Sequence, residues 1–207
     1  MHAGRVNRGR LIAFEGLDGS GKSTQISRLA ESLRKAGHDV VVTAEPTDGE
    51  FGRLIRAMAS GRAPRVAPEE ELRWFVEDRR EHVASCIEPA LAAGRPVLTD
   101  RYYLSTVAYQ GAAGLDPARI LAESEAEFPI PDLAILLDLD VETALARVLA
   151  RGAPLEGAFE ARERLERVAK ILRQVEREYL TRIDASCGED AVARVIAAQV
   201  REQLGLP

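Results

Sequence analysis

A three-layer α/β fold, one parallel sheet of five strands with helices on both faces, is predicted by two features of the 207-residue sequence. Apolar runs of strand length alternate along the chain with segments of helical period, the pattern of repeated strand-helix-strand units. A glycine-rich stretch, FEGLDGSGKST (14–24), overlaps the end of the first apolar run and leads into the first helical segment. Length sets a further bound: a chain of this size fits one domain with a full core, and residues 1–207 are expected to form a single domain.

In order, LIAFE (11–15) reads as the first strand. Ile26, Leu29, Ala30 and Leu33 share one face of a helix that ends at Gly37. VVVTAEP (40–46) is a second strand closed by Pro46, followed by a short helix, FGRLIRAMASG (51–61). A longer helix opens at Pro68, where Glu69 to Glu71 favour the N-terminal dipole, and Pro89 is expected to kink it. PVLTD (96–100) is the third strand, helices start near Leu104 and at Pro117, and LAILLDLD (133–140) is a fully buried fourth strand. VETALARVLARG (141–152) reads as helix, APLEGAF (153–159) as a Gly/Pro loop, and residues 160–180 as one long charged helix. RIDAS (182–186) supplies the fifth strand and residues 189–204 a closing amphipathic helix.

Composition excludes several classes. Hydrophobic residues at 46% and charged ones at 29% describe an ordinary folded protein. A net charge of −5 argues against a general nucleic-acid or membrane-surface binder, so an anionic ligand must be captured by a local cationic pocket. Cys86 and Cys187 show no metal-binding or disulfide spacing, and a reducing cytoplasm fits them best. The N-terminal MHAGRVNRGR lacks the apolar core of a signal peptide, and LAILL is too short to span a bilayer.

Gly16-Leu17-Asp18-Gly19-Ser20-Gly21-Lys22-Ser23 satisfies G-x-x-x-x-G-K-[ST] between a predicted strand and a predicted helix, the context the motif requires. Main-chain N–H groups can wrap a phosphate chain only where side chains leave room, and glycines reach the positive φ values of such a wrap. Lys22 places a point charge on the outer phosphates, and the helix N-terminus, with Thr24 in its first turn, adds partial positive charge. The Ser23 hydroxyl is suited to ligate the Mg²⁺ that accompanies ATP. The fold expected is therefore the three-layer P-loop NTPase fold. The motif alone does not separate kinases from ATPases and GTPases, but no N-K-x-D guanine signature is present.

Further along, FEGLDGSGKSTQ, the EP of AEPTDGEFGRLIR, FVEDRREHV, PVLTDRYYLSTVAYQG and LLDLDVETALARVLARG occur in that order. Over nearly its whole length the chain thereby resembles the thymidylate kinases, P-loop enzymes that phosphorylate dTMP. The resemblance implies ATP, dTMP and Mg²⁺ as ligands. Asp100 and Arg101 end a strand at the carboxyl edge where a parallel sheet binds ligands. The family's DR pair implies Asp100 at the magnesium, alongside Ser23, and Arg101 as a clamp on the acceptor phosphate. Without the resemblance a bare ion pair closing the strand is the lesser alternative, since exposed pairs are common and weak. Asp138 in LLDLD is a rival magnesium ligand, ranked below Asp100.

Phe75 and Arg79 lie four apart on one helical face. The family's F-x-x-D-R pattern implies that Phe75 stacks on thymine and Arg79 donates to its O4, whereas Phe75 alone reads more readily as core. Trp74 is expected in the core. The resemblance also assigns Thr106 to the thymine edge, Tyr109 to the sugar's 2′ carbon, and Gln110, Asp18, Glu45 and Pro46 to the dTMP site. Arg53 or Arg56 is a candidate phosphate contact, though each alone reads more readily as a solvated helix face. In the family a transition-state arginine comes from the P-loop or from a mobile lid. Here Gly19 holds the loop position, so a short lid at about 147–160 must supply it from Arg147 and Arg151, four apart on one face. The usual D-R-[FI]-E reads GAFE, with Ala158 at the arginine position, and Arg151 is expected to compensate. A homodimer is implied through the long helices, with Glu77, Arg80 and Val83 on a face distinct from that of Phe75. The resemblance thus implies transfer of the ATP γ-phosphoryl group to dTMP, giving dTDP. A P-loop kinase with another acceptor, or a non-catalytic ATP-binding protein, remains the alternative.

Overall fold

A strand that is apolar on both faces is stable only where both faces are covered. Leu11–Glu15 (β1), buried at every position, is such a strand. It sits at the centre of five, with Val41–Ala44 (β2), Val97–Asp100 (β3), Leu133–Asp138 (β4) and Leu180–Asp184 (β5) in the order β2-β3-β1-β4-β5. Every neighbouring pair is parallel, with Ile12 opposite Leu98 on one side and Leu133 on the other. This is the P-loop NTPase type of α/β fold. The computed structural model describes residues 8–150, 152 and 158–207. Arg151 and most of the 153–159 stretch lie outside the described residues.

The helices are Lys22–Lys35 (α1), Glu50–Ala59 (α2), Pro68–His82 (α3), Glu88–Ala92 (α4), Tyr103–Ala112 (α5), Pro117–Glu127 (α6), Val141–Leu149 (α7), Ala158–Gln174 (α8) and Glu189–Leu204 (α9). Ile26, Leu29, Ala30 and Leu33 are all buried, as their spacing requires. Two helices start at aspartates that act as N-caps: Asp116 accepts from Ala118 N at 2.9 Å and Asp140 from Thr143 N at 2.8 Å. No described helix is long and apolar enough to cross a membrane.

Three departures from the sequence reading have local causes. The kink expected at Pro89 is a π turn, Val83–Ile87, lying upstream of it. Proline has no N–H for the carbonyl four residues back, and the chain widens so that Glu88 N donates to Val83 O instead. The long helix expected over 160–180 stops at Gln174, and β5 begins two residues earlier than expected. Its last six residues have helical propensity, but the sheet claims them: Ala134 N donates to Tyr179 O at 2.7 Å, while Arg182 caps the helix end by donating to Arg173 O at 2.9 Å and to Val175 O. Trp74 is half-buried rather than core, because its indole N–H reaches out to Glu70 Oε1 at 2.9 Å.

Candidate active site

The turn between β1 and α1 curls through three glycines with positive φ: Gly16 at 136°, Gly19 at 87° and Gly21 at 98°. Gly21 is the N-cap of α1, and no side chain caps the helix, so its first N–H groups and its dipole are left for an anion. Glycine is obligatory at position 19, where a Cβ would fall 2.4 Å from Ala144 O of α7. With α7 packed this closely, position 19 has no room for an arginine side chain. Lys22 is 6% exposed and folds back to donate to Gly16 O at 3.1 Å and Leu17 O at 3.0 Å. Burial, then the nearby Arg101 charge, pushes its pKa down to about 8.

Ser23 Oγ donates to Asp100 Oδ2 at 2.8 Å, so the two candidate magnesium ligands meet across the ends of α1 and β3. Among the described residues no group of three or more His, Cys, Asp or Glu side chains could hold a metal by itself. A pair of oxygens fits Mg²⁺, which keeps waters and is completed by substrate phosphates. The rival, Asp138, is chelated by Arg173, whose Nε and Nη2 donate at 3.0 and 2.8 Å.

Arg101 is the single non-glycine residue with positive φ, 71°, among those described. This conformation turns its side chain from the end of β3 over the P-loop. Nη2 donates to Asp18 Oδ1 at 2.7 Å, and Nη1 to Ser105 Oγ at 2.8 Å and Gly16 O at 3.3 Å. The strained turn is supported from beneath by Glu15, fully buried at the end of β1, which accepts from Tyr102 N at 3.0 Å and from Ser105 Oγ. Burial pushes the Glu15 pKa up to about 7 against the pull of Ser105 and Arg101.

A second cluster is built on α3 and α5. Arg79, 1% exposed, donates from Nε and Nη2 to Glu45 Oε2 at 2.9 and 2.6 Å and from Nη2 to Thr106 Oγ1 at 2.8 Å. His82 Nδ1 lies 3.0 Å from Glu45 Oε1, and its Nε2 lies 2.7 Å from Thr43 Oγ1. Tyr102 and Phe128 flank the guanidinium at 5.2 and 5.4 Å. Arg79 Nη1 finds no acceptor among the described residues, and neither end of the Gln110 amide has a partner.

The two clusters border adjoining clefts. One of about 490 Å³ holds the P-loop residues, Asp100 and Arg101. Another, about 330 Å³, is lined by Pro46, Phe75, Thr106, Tyr109 and Arg164 together with Asp18 and Arg101. Asp18 and Arg101 thus stand on the boundary between them. Beyond Gly19 and Thr24 a third cleft, about 260 Å³, runs to Arg147 and residues 185–189, and Arg147 Nη1 donates to Gly19 O at 3.2 Å.

A family model described as thymidylate kinase matches residues 14–196. The chain belongs to the thymidylate kinase family. A thymidylate kinase of Desulfotalea psychrophila is 46% identical over 198 residues, covering 96% of this chain and 97% of that protein. One of Akkermansia muciniphila is 45% identical over 199 residues, with 96% and 93% covered. One of Xanthomonas euvesicatoria is 45% identical over 201 residues, with 95% and 87% covered.

Of the residues assigned through the family resemblance, Pro46, Phe75, Thr106 and Tyr109 come together on the wall of one cleft. Arg79 and Gln110 lie behind that wall, fully buried, and Glu45 is tied to Arg79 on the P-loop side. Arg56 reaches the cleft, whereas Arg53 stays exposed and donates to Asp48 O at 2.6 Å. Val83 is 7% exposed within the core, so it belongs to no outer face, and Arg80 pairs with Glu77 and Glu127. Sequence reading missed Glu15, His82, Ser105 and Arg164. One signal was present for Glu15: a lone carboxylate at the end of an otherwise apolar strand.

Proposed function

We propose that the chain transfers the γ-phosphoryl group of ATP to the 5′-phosphate of dTMP, giving ADP and dTDP. The observation that carries this reading is the boundary position of Arg101, whose guanidinium bridges the P-loop residue Asp18 and the cleft containing Phe75. A phosphoryl donor on the loop and a monophosphate in that cleft would then meet at one guanidinium. The acceptor phosphate is already a nucleophile, so the work of the site is positioning and charge neutralisation. Lys22 and the N-terminus of α1 hold the donor phosphates, and Arg101 orients the acceptor. Phe75 stacks on the base, with Thr106, and Arg79 behind it, at its edge. Tyr109 crowds the sugar. Ser23 and Asp100 would hold Mg²⁺, which would neutralise phosphate charge there. Arg147, at the start of a lid that includes Arg151, closes over the donor, whose nucleoside extends toward residues 185–189.

Two further features complete the proposal: a cytoplasmic enzyme, supported by two free cysteines, and a homodimer through α3 and its neighbours, with Glu77 and Arg80 at its face. Sedimentation at micromolar concentration checks the latter, and a monomer there would remove it. The activity itself is tested by supplying ATP, Mg²⁺ and one acceptor at a time. Stoichiometric dTDP and ADP from dTMP is expected. Equal or faster turnover of dUMP, dCMP or thymidine would overturn the acceptor assignment.

A further inference from the structure

Cations crowd one side of the 330 Å³ cleft. Four arginines, Arg56, Arg65, Arg101 and Arg164, line it against two carboxylates, Asp18 and Glu71. Two of the four are already committed. Arg56 donates to Pro46 O at 2.7 Å and to Asp48 Oδ1 at 2.6 Å, and Arg101 is paired with Asp18. Arg65 is exposed on the loop before α3, with no aromatic ring holding it among the described residues. Arg164 differs from all of these. It sits on α8 with its guanidinium 5.6 Å from the centre of the Tyr109 ring, and among the residues whose side chains are described, 8–150, 152 and 162–207, it pairs with no carboxylate. The guanidinium of Arg101 lies 5.1 Å from the centre of the same ring.

One tyrosine thus holds two guanidinium groups at the mouth of one cleft. Stacking on an aromatic ring orients a guanidinium without using up its N–H donors, unlike an ion pair, which spends them. A monophosphate near neutral pH carries a charge of about −1.5 to −2. Arg101, already paired with Asp18, does not balance that charge alone.

We infer that Arg164 is a second cation for the acceptor's phosphate, held in readiness by Tyr109 and acting together with Arg101. The inference rests on the reading of this cleft as a monophosphate site. It gives α8 a part in the site that the P-loop and DR motifs do not reveal. Arg164 binds substrate in this proposal and takes no proton or phosphoryl group.

Calorimetric titration of wild type, Arg164→Gln and Arg164→Lys with dTMP and with thymidine separates the possibilities. Loss of one charge-assisted contact predicts dTMP binding to Arg164→Gln weakened about tenfold or more, with thymidine binding unchanged. Arg164→Lys, keeping the charge, is expected to recover most of the loss, and KM for ATP should stay at its wild-type value in both variants. If Arg164→Gln binds dTMP as wild type does, or loses thymidine to the same extent as dTMP, Arg164 holds the wall rather than the phosphate and the inference falls. If wild type itself binds no dTMP, the acceptor reading falls with it, an outcome visible before any variant is made.

Discussion

The two halves of the site handle buried charge in opposite ways. Around Arg79 the charge is neutralised inside the fold: Glu45 takes two of its N–H groups, Thr106 is a third contact, and His82 and Thr43 complete the chain of bonds. Around Lys22 the charge is provisional, since its ammonium rests on backbone carbonyls of the loop and its nearest carboxylate, Asp18, stands 4.0 Å away and is also shared with Arg101. The first arrangement is part of the architecture, and ligand would meet it already formed. On the proposed reading, the second would exchange partners when an anion arrives. Removing charge should therefore damage stability on the Arg79 side and activity on the Lys22 side.

The largest effect is expected from Lys22→Met. Loss of the cation proposed to act on the transferring phosphates should lower kcat by about a thousandfold, in the range seen when one preorganised donor is removed. Its stability should be equal to that of wild type or higher, because burial holds the Lys22 pKa at about 8 and the charged form is disfavoured in the fold. Urea denaturation alongside steady-state kinetics checks both halves, and a variant that loses stability together with activity would erase the contrast.

Glu45→Ala should do the reverse. It strands the Arg79 guanidinium in a position 1% exposed, and breaking a buried pair from one side typically costs about 3–5 kcal/mol. Loss of stability is expected before any specific loss of turnover, read as a lowered urea midpoint with unchanged slope.

Glu15 gives the contrast a pH signature. Its pKa rises on folding from 4.5 to about 7, so between those values the native state binds more protons than the unfolded chain. Stability contributed by the protonated group is then lost as pH climbs through that window, by up to about 3 kcal/mol in total. Glu15→Gln, which keeps a neutral side chain at all pH values, should flatten the profile between pH 4.5 and 7. Lys22 works in the other direction: its pKa falls from 10.5 to about 8, so it adds stability as pH rises across that higher interval.

What was legible in the sequence follows the range of the forces involved. β1 and α9 have the bounds their apolar patterns predict, and the P-loop glycines have the positive φ their motif demands, because period and backbone conformation are local properties. The end of α8 was misread because the pull on Tyr179 and Leu180 comes from β4, over forty residues away in sequence. Phe75 and Arg79 were paired by helical spacing, yet the burial of Arg79 depends on Glu45, Tyr102 and Phe128 from three other segments. Glu15 and Ser105 lie inside motif stretches without a part assigned by them, and Arg164 lies outside any. Each acquires its part from what packs against it, and spacing alone cannot express that.

The smallest effect sharpens the choice of magnesium ligand. Asp138 and Asp100 both end parallel strands, but Asp138 is engaged by Arg173, with side chains 35% and 47% exposed, while Asp100 faces Ser23 at the loop. Asp138→Asn weakens a solvent-screened pair and should cost less than about 1 kcal/mol. Its kcat and its dependence on Mg²⁺ concentration should stay within about twofold of wild type, as for a surface change away from the reacting groups. Asp100→Asn, assayed in parallel, should shift the Mg²⁺ dependence to higher concentration. A shift in the Asp138 variant instead would reverse the two assignments and would require Arg173 to release the carboxylate when substrates bind.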